Sequence, residues 1–330
     1  MNKNEKNLSR TPLSRRIDTQ KLVILAVLAI LFLVFSLLST PFRSYSTFIT
    51  LLSYSYYIAF MAIGVTFALI TGGVDLSLGT GMICYGLIGG YLIVECGMPV
   101  GVGMLATVLV AVLFGLFNGT LIAVFDIPPF IATLATMMIT RGVGSVVVGG
   151  MSVTWPQAAS EQGWFRSLFR TEINGVLIPT GFIWVLLSVI VMSFILNKTK
   201  LGRYIIAIGS NKEATRLSGV KVVKYHIAAY ALSGFFTGLA SLAFAATFQE
   251  LSPGIGGGLE LDAIGSAIIG GTSTAGGVGS IVGTLIGVFI MSTLKTGLPY
   301  IGLQANWQQI ITGIILLGAV GIDVLKNRRK

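Results

Sequence analysis

The chain has 330 residues, of which 54% are hydrophobic and only 10% are charged. Soluble domains carry about 25% charged residues, so this composition is typical of an integral membrane protein and excludes an ordinary soluble domain. The formal net charge is +10, but the basic residues lie in blocks beside apolar segments, a distribution that indicates a lipid bilayer rather than nucleic acid as the partner.

Apolar runs long enough to cross a bilayer recur along the chain. A span needs about 20 mostly apolar residues to cross about 30 Å of hydrocarbon. The predicted fold class is therefore all-α, a polytopic membrane protein with a transmembrane domain over residues 22–322. About ten transmembrane helices are predicted, at residues 22–39, 48–70, 79–95, 99–118, 128–149, 179–196, 226–247, 261–275, 278–295 and 307–322.

Glycine is unusually dense in two of these regions. Residues 79–95 and 261–295 are compatible either with full spans or with half-crossing, broken helices. Non-helical backbone at membrane depth persists only where protein covers it or where it lines a water-filled path. Glycine-rich breaks occur in both halves of the chain, at 71–81 and 265–283, and paired interruptions of this kind indicate a substrate path.

Three basic blocks predict the orientation of the chain. Lysine and arginine are concentrated in the N-terminal tail at 1–21, in a polar segment at 197–224 and in the C-terminal tail at 323–330. Basic residues flank the cytoplasmic ends of membrane spans. Ten crossings that begin inside also place all three blocks, and therefore both termini, in the cytoplasm.

The same parity makes residues 151–178 the longest external loop. Its large aromatic residues are predicted to lie at the membrane interface as an aromatic belt. The loop is interpreted as a lid or a docking surface. The residues concerned are Trp155, Trp164 and Phe165.

A short capped helix is predicted inside the polar segment. Ser210 and Glu213 have the Ser-x-x-Glu spacing of a capping box, and Gly219 stands where a left-handed residue closes a helix. Isolated helices below about 12 residues are marginal in water. The helix is therefore expected to dock on another protein.

Acidic residues in the glycine-rich segments have two interpretations. Asp75, in the segment 72–79 with Ser77, either caps the following helix or contacts a substrate or partner directly. Glu260 and Asp262 either stabilise a helix N-terminus or lie at the outer mouth of a pore. The segment 256–279 lacks the Gly-Lys-Ser/Thr ending of a phosphate-binding loop, so no ATP site is predicted there.

Arg141 lies inside the fifth apolar element, where a charge costs about 2.5 to 3.5 kcal/mol even on the lenient insertion scale. It is either a functional residue or a pin that hydrogen-bonds neighbouring helices. A looser polar set either hydrogen-bonds a hydroxylated solute or consists of separate interface and helix-end residues: Asn118, Gln249, Glu250, Asn306, Trp307 and Gln308. The predicted translocation path or gate consists of Asp75, Ser77, Asn118, Arg141, Glu260, Asp262, Thr272 and Ser273.

Neither catalysis nor metal binding is expected of this chain. His226 is the only histidine, and Cys84 and Cys96 have no metal-type spacing, so both cysteines are interpreted as small core residues. No catalytic, cofactor-binding or metal-binding residue is assigned, and the chain is predicted not to be an enzyme. Small-residue repeats such as Gly115 with Gly119 and Gly234 with Gly238 are interpreted as helix-packing contacts.

Four motifs resemble the monosaccharide (ribose-type) branch of ABC-importer permeases, which depend on a binding protein. They are Gly-Gly-Val-Asp-Leu-Ser-Leu-Gly at 72–79, Thr-Leu-Ala-Thr-Met-Met-Ile-Thr-Arg-Gly at 133–142, Thr-Lys-Leu-Gly-Arg-Tyr-Ile-Ile-Ala-Ile-Gly-Ser-Asn-Lys-Glu-Ala-Thr-Arg-Leu-Ser-Gly at 199–219 and Glu-Leu-Asp-Ala-Ile-Gly-Ser-Ala-Ile-Ile-Gly-Gly-Thr-Ser at 260–273. The chain departs from the family at Gly149-Gly-Met-Ser152, where Gly-Arg-Pro is frequent, and at Thr296-Gly-Leu298, where Asn-Gly-Leu is frequent.

The resemblance implies a permease subunit in the inner (cytoplasmic) membrane that imports a small sugar or polyol. It implies a second permease copy or paralogue, a cytoplasmic ABC ATPase that carries ATP and Mg, and a periplasmic or lipid-anchored sugar-binding protein. Residues 197–224 would be the cytoplasmic coupling loop. The ATPase-coupling residues implied are Gly209, Ser210, Asn211, Glu213, Ala214, Arg216 and Gly219.

Two other classes of function are weaker alternatives. A secondary transporter driven by an ion gradient normally needs membrane-embedded acids or histidines, and apart from Arg141 the predicted spans contain few ionisable groups. A membrane enzyme acting on lipids would need a clustered catalytic set, which the sequence does not offer.

Overall fold

The computed structural model describes residues 19–173 and 175–327 of the chain, and this part is almost entirely helical. The helices are α1 (Thr19–Leu38), α2 (Tyr45–Ile70), α3 (Leu78–Val94), α4 (Val100–Ala123), α5 (Pro129–Val147), α6 (Gly181–Lys198), α7 (Lys200–Ser210), α8 (Lys212–Leu217), α9 (Val222–Phe248), α10 (Leu259–Ile269), α11 (Ile281–Tyr300) and α12 (Ala305–Asn327). The strands are β1 (Val153–Thr154), β2 (Thr171–Ile173), β3 (Val176–Ile178) and β4 (Glu250–Leu251), and 3₁₀ helices cover Pro41–Arg43 and Glu161–Leu168. The predicted all-α fold is confirmed.

Seven of the described helices are long and apolar enough to cross a membrane: α1, α2, α4, α5, α6, α9 and α11. The predicted count of ten is not confirmed. Helix α3 is apolar but has 17 residues, and α10 has only 11. At 1.5 Å per residue α10 is about 16 Å long, half of the hydrocarbon thickness. Of the two alternatives for the region 261–295, the broken helix is therefore the observed one.

Helix α2 forms the centre of the bundle. In its most apolar stretch 83% of the residues are buried inside the protein, against 11% in α1. Helices α9 and α11 pack against α2 and are also mostly buried. These buried fractions place α1 at the edge of the bundle, and α2, α9 and α11 in its interior.

The predicted small-residue repeats lie at helix contacts. A Cβ atom on Gly115 of α4 would be 2.5 Å from the Tyr230 carbonyl oxygen of α9, and one on Gly234 of α9 would be 2.3 Å from the Ala111 carbonyl oxygen of α4. Only glycine therefore allows the two backbones to approach this closely. Close approach is the main source of van der Waals attraction between helices in lipid.

The loop that is predicted to be external packs against the bundle, and this corrects the predicted aromatic belt. Trp155 and Phe165 are completely buried, and only Trp164 is exposed. The Trp155 indole N–H donates a hydrogen bond of 3.0 Å to the Gly86 carbonyl of α3. An indole satisfied by a backbone carbonyl does not need the membrane interface. Of the two cysteines, Cys84 is buried as predicted, whereas Cys96 is exposed.

Arg166 fastens this loop to the end of α9. Its guanidinium donates hydrogen bonds to the carbonyls of Pro156 at 2.7 Å, Ala246 at 2.8 Å and Trp155 at 3.4 Å. Ala246 lies in the last turn of α9, where carbonyls have no helical partner and favour a cation. Strand β1 also pairs with β4, directly after α9, in antiparallel register.

Substitution of Gly115 by alanine should destabilise the protein because the new methyl group forces α4 and α9 apart. Overpacking of this kind costs about 1 to 3 kcal/mol. Gly101→Ala is the matched control on the same helix, since nothing lies within 4 Å of its Cβ position. Thermal unfolding in detergent gives the melting temperatures of both variants. Equal melting temperatures for the two variants would show that the α4–α9 contact is not tight.

Candidate functional site

The polar segment folds into two helices, α7 and α8, and its helix cap is not the predicted one. Ser210 is the last residue of α7, and its hydroxyl donates to the Ile206 carbonyl at 2.9 Å. The N-cap of α8 is Asn211, whose side-chain oxygen accepts from the Ala214 amide at 2.9 Å. Serine and asparagine cap helices about equally well. Burial of Ile205 and Ile208 on one face of α7 extends that helix through Ser210.

Glu213 forms an ion pair instead of completing a capping box. Its carboxylate accepts two hydrogen bonds from Arg216, at 2.5 Å and 3.0 Å, and both side chains are exposed. The hydrogen bond from Arg216 lowers the pKa of Glu213 and raises the pKa of Arg216. Gly219 has a φ of +81°, so the predicted left-handed residue after the helix is present.

Most of the surface of α8 is exposed, although Lys212 forms an ion pair with Asp126 at 3.2 Å. Asn211, Glu213, Ala214 and Arg216 are exposed, and Thr215 is the buried exception in this helix. Leu217 is 76% exposed. Sequence reasoning missed Leu217, although a leucine in the last turn of a predicted docking helix is a signal that could have identified it. The helix therefore presents a charged pair and one large apolar side chain.

Gly209 connects this helical pair to the membrane helices. A Cβ atom on Gly209 would be 1.7 Å from the Ile70 carbonyl oxygen and 2.4 Å from the Gly277 nitrogen, and the Gly277 amide donates to that carbonyl at 2.8 Å. A Cβ atom on Gly276 would be 2.9 Å from the Gly72 nitrogen. We call Ile70, Gly72, Gly209, Gly276 and Gly277 the glycine junction. It brings the end of α2, the end of α7 and the loop 270–280 into direct backbone contact.

The loop 270–280 is also held by α12. The Asp323 carboxylate accepts hydrogen bonds from the Ser273 hydroxyl at 3.0 Å, the Thr274 amide at 2.9 Å and the Thr274 hydroxyl at 3.0 Å. Sequence reasoning assigned Asp323 to the basic tail, whereas α12 continues to Asn327. An acidic residue within that basic stretch was the signal that could have identified Asp323 as a residue with a structural contact. Thr272 is buried, and its hydroxyl has no hydrogen-bond partner among the described residues.

Asp75 ties the loop between α2 and α3 to α9. One carboxylate oxygen accepts from the Ser77 amide at 3.0 Å and from the Ser77 hydroxyl at 2.6 Å, and the other accepts from the Ser233 hydroxyl at 2.7 Å. The amide concerned belongs to the residue before α3 and not to the first turn of that helix. Asp75 thus makes a tertiary contact rather than the predicted helix cap.

Asn118 extends this network to two further helices. Its amide group donates to the Ser77 hydroxyl at 3.0 Å, and its carbonyl accepts from the Thr136 hydroxyl of α5 at 2.6 Å. The structure therefore brings the predicted residues Asp75, Ser77 and Asn118 together in one buried cluster. Arg141 is not part of it and lies exposed on α5.

Two acids lie at the start of α10. The Glu260 carboxylate accepts from the Gly258 amide, at 3.0 Å and 3.1 Å. Asp262 is buried and forms an ion pair with Lys295 of α11. Sequence reasoning missed Lys295, the last residue of the predicted element 278–295. A lysine inside an apolar span was itself the signal, because such a charge needs a partner.

A cavity of about 680 Å³ opens beside this ion pair, at the opposite end of α2 and α11 from the glycine junction. We call it the outer cavity, because the orientation predicted from the basic blocks places this end outside. Its wall combines the first half of α2, the end of α9, the start of α10, the end of α11 and Gln308 of α12. The lining residues are Thr50, Tyr54, Tyr57, Phe244, Phe248, Ile255, Gly256, Gly257, Leu259, Lys295, Thr296, Pro299, Tyr300 and Gln308.

Residues 47–320 match the family described as "Branched-chain amino acid transport system / permease component". The ribose import permease protein RbsC of Escherichia coli strain K12 is 35% identical over 310 residues, which cover 92% of this chain and 93% of that protein. This chain belongs to the sugar permease family of ABC transporters. It is a multi-pass membrane protein and a transport permease, not an enzyme.

Further relatives agree with this assignment. RbsC of Bacillus subtilis strain 168, also named a ribose import permease protein, is 36% identical over 308 residues, which cover 93% of this chain and 94% of that protein. The xylose transport system permease protein XylH of Escherichia coli strain K12 is 30% identical over 324 residues, covering 81% of this chain and 82% of that protein. This chain is thus similar to permeases named for two different pentoses.

Loss of the Ser233 hydroxyl should destabilise the buried Asp75 cluster. Leaving a buried acceptor without its hydrogen bond costs about 1 to 3 kcal/mol, so we expect Ser233→Ala to lower the unfolding free energy by about that amount. Ser241→Ala is the matched control, because Ser241 is equally buried on α9 and its hydroxyl has no described partner. Thermal unfolding in detergent compares them. If Ser241→Ala is as unstable as Ser233→Ala, the hydrogen bond from Ser233 to Asp75 does not stabilise the cluster.

Proposed function

We propose that this permease imports a small sugar or polyol across the cytoplasmic membrane, driven by ATP that a partner ABC ATPase hydrolyses with Mg. The observation that carries the proposal is the glycine junction, which attaches the exposed helix α8 to both glycine-rich breaks. A short exposed helix is stable only when it packs on something else. The partner ATPase would bind α8, and its closure would move α2 and α11 through the junction.

The proposed topology follows the basic blocks. Residues 1–21, the coupling loop 197–224 and residues 323–330 are cytoplasmic, and the loop 151–178 faces outside, where a sugar-binding protein would dock. A second permease copy or paralogue completes the transmembrane unit. The names of the relatives favour a pentose as the solute.

Uptake by reconstituted vesicles tests the energy source. Vesicles that contain the permease, its ATPase and its binding protein should accumulate radiolabelled ribose or xylose when they enclose ATP. The uptake should survive a protonophore, because no ion gradient drives it. Uptake that continues without ATP and collapses with the protonophore would instead identify an ion-coupled secondary transporter.

The docking role of α8 predicts a loss of ATPase binding in Leu217→Asp. The new charge would have to enter the apolar contact that an exposed leucine makes with its partner, and truncation of such an anchor costs about 2 kcal/mol or more. We expect at least about a tenfold weaker association in pull-down from detergent. Leu217→Met, which keeps the apolar volume, is the control. If both variants retain the ATPase equally, α8 is not the docking element.

A further inference from the structure

The outer cavity has an aromatic wall of unusual continuity. The ring centroids of Phe244 and Phe248 are 4.5 Å apart. The centroid of the Tyr57 ring lies 5.3 Å from that of Phe244 and 5.9 Å from that of Phe248. Tyr54 adds a fourth ring, 5.5 Å from Phe248. Small-molecule sites are lined mainly by apolar and aromatic side chains with a few placed polar groups. The C–H face of a sugar ring is suited to such a surface.

The part of the wall formed by α11 and α12 supplies the polar groups. Thr296 is 5% exposed, and its hydroxyl has no hydrogen-bond partner among the described residues. A buried hydroxyl without a partner costs about 1 to 3 kcal/mol, so it requires an explanation. Lys295 stands next to it, and its ammonium has three donors, of which the ion pair with Asp262 uses one. Gln308 adds an amide to the same wall.

Size and position agree with a solute on its way through the permease. The volume of about 680 Å³ lies within the range of small-molecule sites, about 300 to 1,000 Å³. Tyr57 precedes Ile70 along α2, and Lys295 follows Ile281 along α11, so the cavity lies about 20 Å from the glycine junction at 1.5 Å per residue. Helix α10 begins at the cavity wall with Leu259 and ends beside the loop of the junction.

We propose that the outer cavity of each permease subunit binds one monosaccharide or polyol, which packs on the aromatic wall and hydrogen-bonds to Thr296 and Lys295. The inference rests on the proposed function, since it takes the solute to be a sugar. It adds a recognition site on the permease itself, apart from any binding protein. An acyl chain is the competing occupant, but it would offer no acceptor to Lys295 and Gln308, which line the cavity.

Direct binding tests this site without any other component of the importer. The full chain in lipid nanodiscs is titrated with ¹³C-labelled D-ribose and D-xylose up to tens of millimolar, and saturation-transfer NMR reports the bound fraction. Thr296→Val keeps the shape but removes the hydroxyl, so the dissociation constant should rise about 3- to 10-fold. Phe244→Leu should weaken binding at least as much, because it interrupts the aromatic wall.

Ser292→Ala is the matched control for Thr296→Val. Ser292 lies one turn away on α11, is fully buried and has an unpartnered hydroxyl, but does not line the cavity. The Ser292→Ala variant should bind the sugar with the same affinity as the unchanged protein. Gel filtration checks that every variant is folded. Unchanged affinity in both Thr296→Val and Phe244→Leu would overturn the proposal. So would the absence of sugar binding by a permease that still performs ATP-driven uptake, an outcome that leaves the proposed function intact.

Discussion

The contact of Gly209 with Ile70 and Gly277 is the constraint on which the arrangement of this permease depends. No side chain fits between these backbones, so the end of α7 lies directly on the end of the central helix α2 and on the segment that leads into α11. Close-packed interiors transmit displacement because they have little free volume to absorb it. A partner bound to α8 would therefore act on the membrane helices through backbone contacts and not through flexible side chains.

Several buried polar groups in this bundle are satisfied in sets that join distant parts of the chain. Asp75 binds serine hydroxyls from two elements, Arg166 binds three carbonyls, and Asp262 pairs with Lys295. Without water to supply a bond, each unsatisfied group in the membrane costs several kcal/mol. Such sets consequently hold loops that have little apolar surface of their own. Other buried hydroxyls are also unpartnered, but that of Thr296 belongs to a residue that lines the outer cavity, where a solute would supply the missing bond.

Short sequence patterns predicted part of the coupling loop correctly. They failed where two local conformations of the same residues have similar free energies. The left-handed Gly219 follows from the steric demands of a single residue. Ser210 and Asn211 are both good N-caps. The choice between them is made by α7, whose buried residues Ile205 and Ile208 keep the helix continuous to Ser210. The predicted aromatic belt fails for Trp155 for a related reason, because a tryptophan can satisfy its N–H either at the membrane interface or on a carbonyl inside the protein.

The sequence by itself determined the membrane class, the helical fold and the resemblance to sugar permeases, because composition, span length and contiguous motifs are properties of the chain read in order. Only the tertiary structure decided which groups meet. Lys295 and Asp262, Asp323 and the loop 270–280, and Gly209 and Ile70 are pairs separated by long stretches of chain. Hydrophobic burial in the bundle is non-directional, so nothing in the local sequence specifies these partners until the helices have packed and backbone geometry has selected them.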